Sequence, residues 1–504
     1  MKYTVLDYLE ATSEKYADKT AFADVQESVN WKDFVKDAKA LSSFLEKHFD
    51  PRTAVPVVTE KSVLTLKLFF AALYAGCFYS FVDATFPDER LLSMISTLKA
   101  KTLVVDRKFQ KKIEGLGSDC KIIYTDDLLK EVKEANVPYN PARRNQIVDV
   151  DPVYANFTSG TTGMPKAVLV NHRNVVDFIS CFAEVFDIQS SENLANQAPF
   201  DFDVSVKDIF TAVFTGAAVH LVPKAFFSFP TKLLDYLEER EITTIIWAVS
   251  AMCIISTLGG FKYKKPLTLK KIMFSGEVMP VKQLRIWKEN VPDAKYINLY
   301  GPTEITCNCT YAEVPQSIDE DYVLPIGIPF PNERVFLLDE NDALITEAEK
   351  TGELCVSGSC VAPGYYNNSE RTAQAFVQNP LNPSYFERIY RTGDLASYGK
   401  DGLLYYVSRK DTQIKHMGHR IELSEIEGAV EKICSITRAC CVFSQNKISA
   451  FYTGQETDKK EIVTALKTSL PVYMIPSNFI FIEEFPLTKN GKVDKRALEA
   501  KVNG

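Results

Sequence analysis

Nine consecutive residues of this 504-residue chain carry its clearest chemical signal: Thr158-Ser159-Gly160-Thr161-Thr162-Gly163-Met164-Pro165-Lys166. Three threonines, one serine and two glycines fill the first six positions, offering hydroxyls and backbone N–H groups with little side-chain bulk between them. One lysine closes the loop. Successive amide N–H groups in such a turn form an anion-binding concavity, so the segment reads as a cradle for a polyphosphate. A mobile surface turn needs only one or two residues of this kind, and it seldom sits between two apolar runs such as 153–157 and 167–170. Spacing excludes a Walker A loop. That motif requires G-x-x-x-x-G-K followed by Ser or Thr, whereas here only two residues separate Gly160 from Gly163, and Ala167 follows Lys166.

Four more clusters follow in order: Tyr300-Gly301-Pro302-Thr303-Glu304, Tyr390-Arg391-Thr392-Gly393-Asp394, Arg409-Lys410-Asp411-Thr412-Gln413-Ile414-Lys415 and Asn490-Gly491-Lys492-Val493-Asp494. With the loop, whose Phe157 and Ala167 are mild variants, they resemble the adenylate-forming superfamily of acyl-CoA synthetases, amino-acid-activating domains and luciferases. The resemblance covers nearly the whole chain. It implies an enzyme in which ATP and a carboxylic acid give an acyl-adenylate and pyrophosphate, the protein neutralising charge while the carboxylate attacks the α-phosphorus.

By the same resemblance, Thr158, Ser159, Gly160, Thr161, Thr162, Gly163 and Lys166 hold the β- and γ-phosphates. Glu304 matches the magnesium ligand, since a hard cation prefers carboxylate oxygen, and Thr303 matches the α-phosphate contact. Tyr300 packs on adenine, with Asn298 and Gly276-Glu277 bordering the ring. Asp394 accepts both ribose hydroxyls, and Arg409 binds ribose or phosphate. Lys492 bridges the substrate carboxylate and the α-phosphate, where a flexible charge favours the transition state. Bland readings stand beside these: Asp394 as a turn residue, Glu304 as a helix N-terminal charge, Lys492 as a solvated surface lysine. The family's small C-terminal domain rotates after adenylation. The hinge matches Asp411, and the rotation withdraws Lys492 and presents a loop containing Gly418 to an acceptor thiol.

Asp203, within Phe200-Asp201-Phe202-Asp203-Val204-Ser205-Val206, matches the aspartate that pairs with the substrate α-ammonium in amino-acid-activating domains. Synthetases for plain acids lack it, because an unpaired buried carboxylate is costly. Asp201 competes, but the register with Phe202 and Ser205 favours Asp203. Three stretches, residues 196–200, 273–280 and 470–476, resemble D-alanine–carrier protein ligases. The pocket lining inferred from the family is Val204, Lys207, Val249, Met273, Ser275, Leu299, Cys307 and Asn308. Ser275 departs from the cysteine of that ligase, and Lys207 introduces a cation suited to an acidic or amide side chain. Lys207 could equally turn outward or pair near Asp208. D-alanine leads the candidates, with an acidic or other small amino acid open. The expected partner is a phosphopantetheinylated carrier protein in trans; the alternative is an acyl-CoA synthetase acting on coenzyme A.

The elements that must position these residues are legible from periodicity. Strand-like runs at 102–106, 121–125, 243–249 and 271–274 alternate with helical ones such as 230–240, which argues for parallel sheets covered by helices. After about residue 322, short strands and turns suggest hairpins or a small barrel, and 422–433 is an amphipathic helix. The expected fold is therefore α/β: a large N-terminal unit, residues 1–408, of two helix-covered sheets plus a small β-barrel, and a mobile α+β C-terminal unit, residues 409–504. Lys+Arg total 58 against 65 Asp+Glu, a net charge of −7 that makes nucleic acid an unlikely partner. The 32 Phe and 23 Tyr exclude a disordered chain. The most apolar stretch, residues 68–82, is shorter than the ~20 residues needed to span a bilayer and reads as helix, a turn at Gly76 and strand. No signal peptide begins the sequence, and the 11 cysteines lack metal or secretory spacing, so free buried thiols and a cytoplasmic protein are expected, with ATP and Mg2+ as cofactors.

Overall fold

Strands made of apolar and β-branched residues on both faces must be covered on both faces, and two large sheets meet that demand. The computed structural model describes residues 2–135, 138–160, 165–487 and 493–503. In the nine-stranded sheet, Lys295–Tyr300, Lys271–Ser275, Thr244–Ala248, Asn193–Asn196, Ala218–Leu221 and Thr20–Ala23 lie side by side and parallel. Every residue of Thr244–Ala248 and of Ala218–Leu221 is buried. In the seven-stranded sheet, Lys121–Tyr124, Thr102–Val105, Ala54–Val58, Phe78–Phe81 and Pro152–Thr158 run parallel, and Lys166–Asn171 returns antiparallel on Pro152–Thr158.

Helices Val63–Tyr74 and Val204–Thr215 are buried around most of their circumference and share one core, with the Phe70 and Phe210 rings 5.8 Å apart. Gly216 ends the second helix at φ +80, where a Cβ would lie 2.3 Å from the Tyr16 ring. Only glycine satisfies both demands there. The apolar stretch 68–82 resolves into the end of helix Val63–Tyr74, a left-handed Gly76 and strand Phe78–Phe81. Among the described residues no helix is long and apolar enough to cross a membrane.

Where a small barrel is expected, a six-stranded antiparallel sheet runs through Leu344–Ile345, Glu333–Leu338, Thr351–Gly358, Arg388–Tyr398 and Phe376–Gln378, with Leu404–Arg409 also on Arg388–Tyr398. Beyond it, Gln413–His416 and His419–Glu422 form a hairpin that feeds helix Leu423–Glu431. A three-stranded sheet follows, and this segment has its own core of Ile421, Ile426, Val430, Cys441, Ala450 and Met474. The cysteines are free. Seven are buried, but Cys434 is exposed, contrary to the expectation of buried thiols throughout, because it lies in the short turn between Leu423–Glu431 and Ile436–Ser444.

Candidate functional site

Ligands of open parallel sheets bind beyond the carboxyl ends of the strands, and the candidate residues gather there. Asp203 immediately precedes helix Val204–Thr215, which follows Asn193–Asn196; Val249 follows Thr244–Ala248; Ser275 and Gly276 end Lys271–Ser275; Tyr300 to Glu304 end Lys295–Tyr300. Val204, Val249, Met273, Leu299 and Cys307 are all buried. Lys207 points inward. It is 0% exposed, and its Nζ donates to Ser275 Oγ at 3.0 Å and Asn308 Oδ1 at 2.8 Å. Burial lowers its pKa, opposed by Cys307, Asp203 and Asp208. Neither the outward orientation nor a hydrogen bond to Asp208 describes it.

The segment after Lys295–Tyr300 doubles back to reach that lysine. Thr306 and Cys307 adopt φ values of 60 and 81, left-handed conformations that non-glycine residues rarely hold. A Cβ at Gly301 would stand 2.5 Å from Asn308 Cα, so glycine there is what lets Asn308 approach Lys207. Cys307 Sγ donates to the Asp203 carbonyl at 3.1 Å, tying the turn to the helix start. Burial raises the Asp203 pKa, while a hydrogen bond from Thr303 and the charge of Lys207 act the other way. Asp201 is pushed up to about 6 by burial, and its Oδ1 has no partner.

On the opposite side, Glu304 lies fully buried in the turn Thr303–Ile305. Tyr365 donates its hydroxyl to Oε1 at 2.8 Å, and Arg420 Nη1 donates to Oε2 at 2.8 Å. Burial pushes this carboxyl up, but Arg420, Lys166 and Tyr365 outweigh it and hold the pKa below the usual carboxylate range. Lys166 Nζ stands 5.3 Å from the Tyr365 ring, and burial lowers its pKa. Ser159 Oγ donates to the Arg420 carbonyl at 2.7 Å. Asn156, Thr158, Asp203, Thr303, His419 and Arg420 line one cleft. Thr158 Oγ1 and both polar side-chain atoms of Asn156 are buried there without partners. Orphaned buried polar atoms mark a place where a polar ligand or water completes the hydrogen bonding.

Tyr300 donates its hydroxyl to Asp394 Oδ2, and Arg409 Nη1 reaches Asp394 Oδ1 at 2.7 Å. Arg409 also grips Asp411 through two bonds of 2.8 and 2.6 Å. Burial disfavours the guanidinium charge, but Asp411 and Asp394 hold its pKa above normal. Asn298 Nδ2 donates to the Pro325 carbonyl at 2.7 Å, and the Gly418 N–H donates to Glu277 Oε1. Sequence reasoning assigned no role to Arg420, Tyr365 or Lys415, whose Nζ lies 5.2 Å from the Tyr300 ring. The available signal was adjacency: Arg420 stands two residues beyond Gly418, and Lys415 ends a motif already singled out. Thr161, Thr162, Gly163 and Lys492 lie outside the described residues.

The sequence profile of the AMP-binding enzyme family matches residues 9–366. The chain belongs to the AMP-binding enzyme family. It is similar to tyrocidine synthase 1 of Brevibacillus parabrevis, 28% identical over 97% of this chain and 44% of that protein. It is also similar to gramicidin S synthase 1 of Brevibacillus brevis, 29% identical over 98% of this chain and 44% of that one. It thus spans less than half the length of these relatives. Among solved structures, holo-PA1221, a nonribosomal-peptide-synthetase protein with adenylation and carrier domains bound to a vinylsulfonamide inhibitor, superposes with a TM-score of 0.83 at 25% identity, covering 98% of this chain and 84% of that one. The Vibrio cholerae adenylation domain AlmE, solved with glycyl-adenosine-5'-phosphate, shares the fold at a TM-score of 0.85 and 20% identity, covering 100% and 98%. The protein is thus an AMP-binding enzyme with the mixed α/β fold of adenylation domains.

Proposed function

We propose that this AMP-binding enzyme activates an amino acid as its adenylate and then passes the aminoacyl group to the phosphopantetheine thiol of a carrier protein acting in trans, in the cytoplasm. The observation that carries this reading is a pair of buried, oppositely charged side chains one helical turn apart, the Asp203 carboxylate and the Lys207 ammonium. Asp203 receives the substrate α-ammonium. Lys207 faces the substrate side chain, and since its two partners are neutral, a carboxylate or amide there suits it better than the methyl of D-alanine. The substrate class is therefore an acidic or amide amino acid, with D-alanine, suggested by the resemblance, as the candidate it must outcompete.

On the nucleotide side, Thr158–Lys166 receive the β- and γ-phosphates, Thr303 the α-phosphate, Tyr300 the adenine and Asp394 the ribose. Glu304 fits a magnesium ion: it is a buried, ionised oxygen donor beside a phosphate loop, and Mg2+ is commonly held by one or two carboxylates plus phosphate oxygens. A cation there neutralises charge on the triphosphate. Residues 409–504 act as a second domain that turns about Asp411, bringing Lys492 to the reacting carboxylate for the first step and the Gly418 loop for the second. Lys492→Ala is expected to lower amino-acid-dependent pyrophosphate exchange by about a hundred-fold or more, the scale of one lost charge-stabilising donor, while ATP binding by calorimetry is retained. Equal loss of both would remove Lys492 from the chemistry.

A further inference from the structure

The cleft beside Asp203 holds a second carboxylate, which the function proposed above leaves unused. Asp201, Asp203, Thr303, His419, Arg420 and Tyr473 all line it. Most ionisable groups there are already engaged. Asp203 takes a hydrogen bond from Thr303, Arg420 is bonded to Glu304 at 2.8 Å, and Arg90 pairs with Glu425 at 2.7 Å. The His419 ring stacks on Tyr473 at 3.7 Å, and burial, helped by the charges of Lys224, Arg90 and His416, pushes its pKa down to about 4, which makes it a weak base. Of the two carboxylates lining the cleft, Asp201 is the one that keeps a buried oxygen, Oδ1, without a partner among the described residues. Burial and the nearby Asp83 push its pKa up to about 6, against the opposing charges of Lys224 and Arg90. The Tyr473 hydroxyl beside it is held protonated by burial. A Cβ on Gly418 would meet the ring of Phe202 at 3.8 Å, so the loop assigned above to the second step lies against the residue next to Asp201.

We propose that Asp201 is a catalytic residue of the transfer step, the general base that takes the proton of the acceptor thiol as its sulfur attacks the aminoacyl-adenylate. This deepens the function proposed above and rests on it. A thiol ionises at ~8.5 in water, and a desolvated cleft disfavours the thiolate further. Attack at neutral pH is therefore helped by a proton acceptor already in place. The S–H bond breaks and its proton passes to Asp201 Oδ1. The sulfur electron pair forms the S–C bond at the acyl carbon, the C–O bond to the phosphate breaks, and AMP leaves with that electron pair. The leaving phosphate oxygen needs no proton, so the step calls for a base and no acid, and Asp201 then returns its proton to solvent. A base works best when its pKa lies near the working pH, and a carboxyl shifted upward by burial comes closer to that than an exposed one. Asp203 is not available for this while it pairs with the α-ammonium group. The two aspartates of Phe200-Asp201-Phe202-Asp203 thus have separate tasks, one holding the amino group and the other accepting the proton of the thiol.

The test uses the full chain, the amino acid that supports the fastest pyrophosphate exchange, and pantetheine as acceptor, with thioester formation followed by quenched-flow mass spectrometry. In Asp201→Asn the thioester rate is expected to fall about a hundred-fold or more relative to pyrophosphate exchange by the same variant, the lower range for a lost general base. The wild-type rate is expected to rise as pH climbs through about 6 and then level off, whereas the variant's rate rises only toward the thiol's own ~8.5. Trifluoroethanethiol, a more acidic acceptor, is expected to narrow the gap between variant and wild type. Thioester formation that keeps pace with exchange in the variant, or a pH profile that the substitution leaves unchanged, would overturn the proposal. Exchange without any thioester in the wild type would instead overturn the transfer reading, and no exchange with any amino acid would overturn the adenylation reading.

Discussion

Two buried cations, Arg420 and Lys207, lie among the candidate residues, and the chain treats them differently. Arg420 is matched inside the protein, its guanidinium on the ionised carboxylate of Glu304. Lys207 is more deeply buried, yet its hydrogen bonds go to the neutral oxygens of Ser275 and Asn308. A buried charge is expensive, and the charges of Asp203 and Asp208 offset the burial of Lys207 without a direct hydrogen bond to it. Arg420 is thus held by a directly bonded carboxylate, whereas under the function proposed above a substrate side chain would supply the direct partner of Lys207.

Breaking the matched pair should have the larger effect. Glu304→Gln strands a guanidinium that is only 15% exposed, and the hairpin-docked arrangement should lose about 3–5 kcal/mol, the usual cost of removing one partner of a buried pair. Faster hydrogen exchange across residues 413–422, with the rest of the chain unchanged, is the expected readout. Lys207→Met should do much less. The lost hydrogen bonds to Ser275 and Asn308 are offset by relief of a desolvated charge, so thermal stability should move by no more than about 1 kcal/mol in either direction. A loss of about 3 kcal/mol would make Lys207 a structural strut and erase the contrast with Arg420.

Much of this was legible in the sequence because the motifs are local. The run from Tyr300 to Glu304 is a strand end and its turn, and Asp203 is a helix start, so each residue's place follows from a few neighbours. The parallel sheets followed from apolar runs alternating with helical periodicity. What stayed hidden depends on pairings far apart along the chain. Arg420 meets Glu304 across 116 residues, and Arg90 meets Glu425 across 335. No periodicity encodes such a meeting; it depends on how one folded segment packs on another. The direction of Lys207 was also undetermined, because its helix is buried on nearly every face and supplies no polar side toward which a lysine must turn. It was settled by Gly301 and the left-handed turn at Thr306 and Cys307, which bring Asn308 within reach.

The central claim, that this pocket presents an amino acid to a bound triphosphate, is tested most directly by ATP–pyrophosphate exchange with radiolabelled pyrophosphate over L- and D-amino acids, including glutamate, aspartate and D-alanine. Exchange should be strongest with an acidic or amide amino acid and should vanish in Asp203→Ala. No exchange with any amino acid, or undiminished exchange with the matching acid lacking its α-amino group, would contradict it.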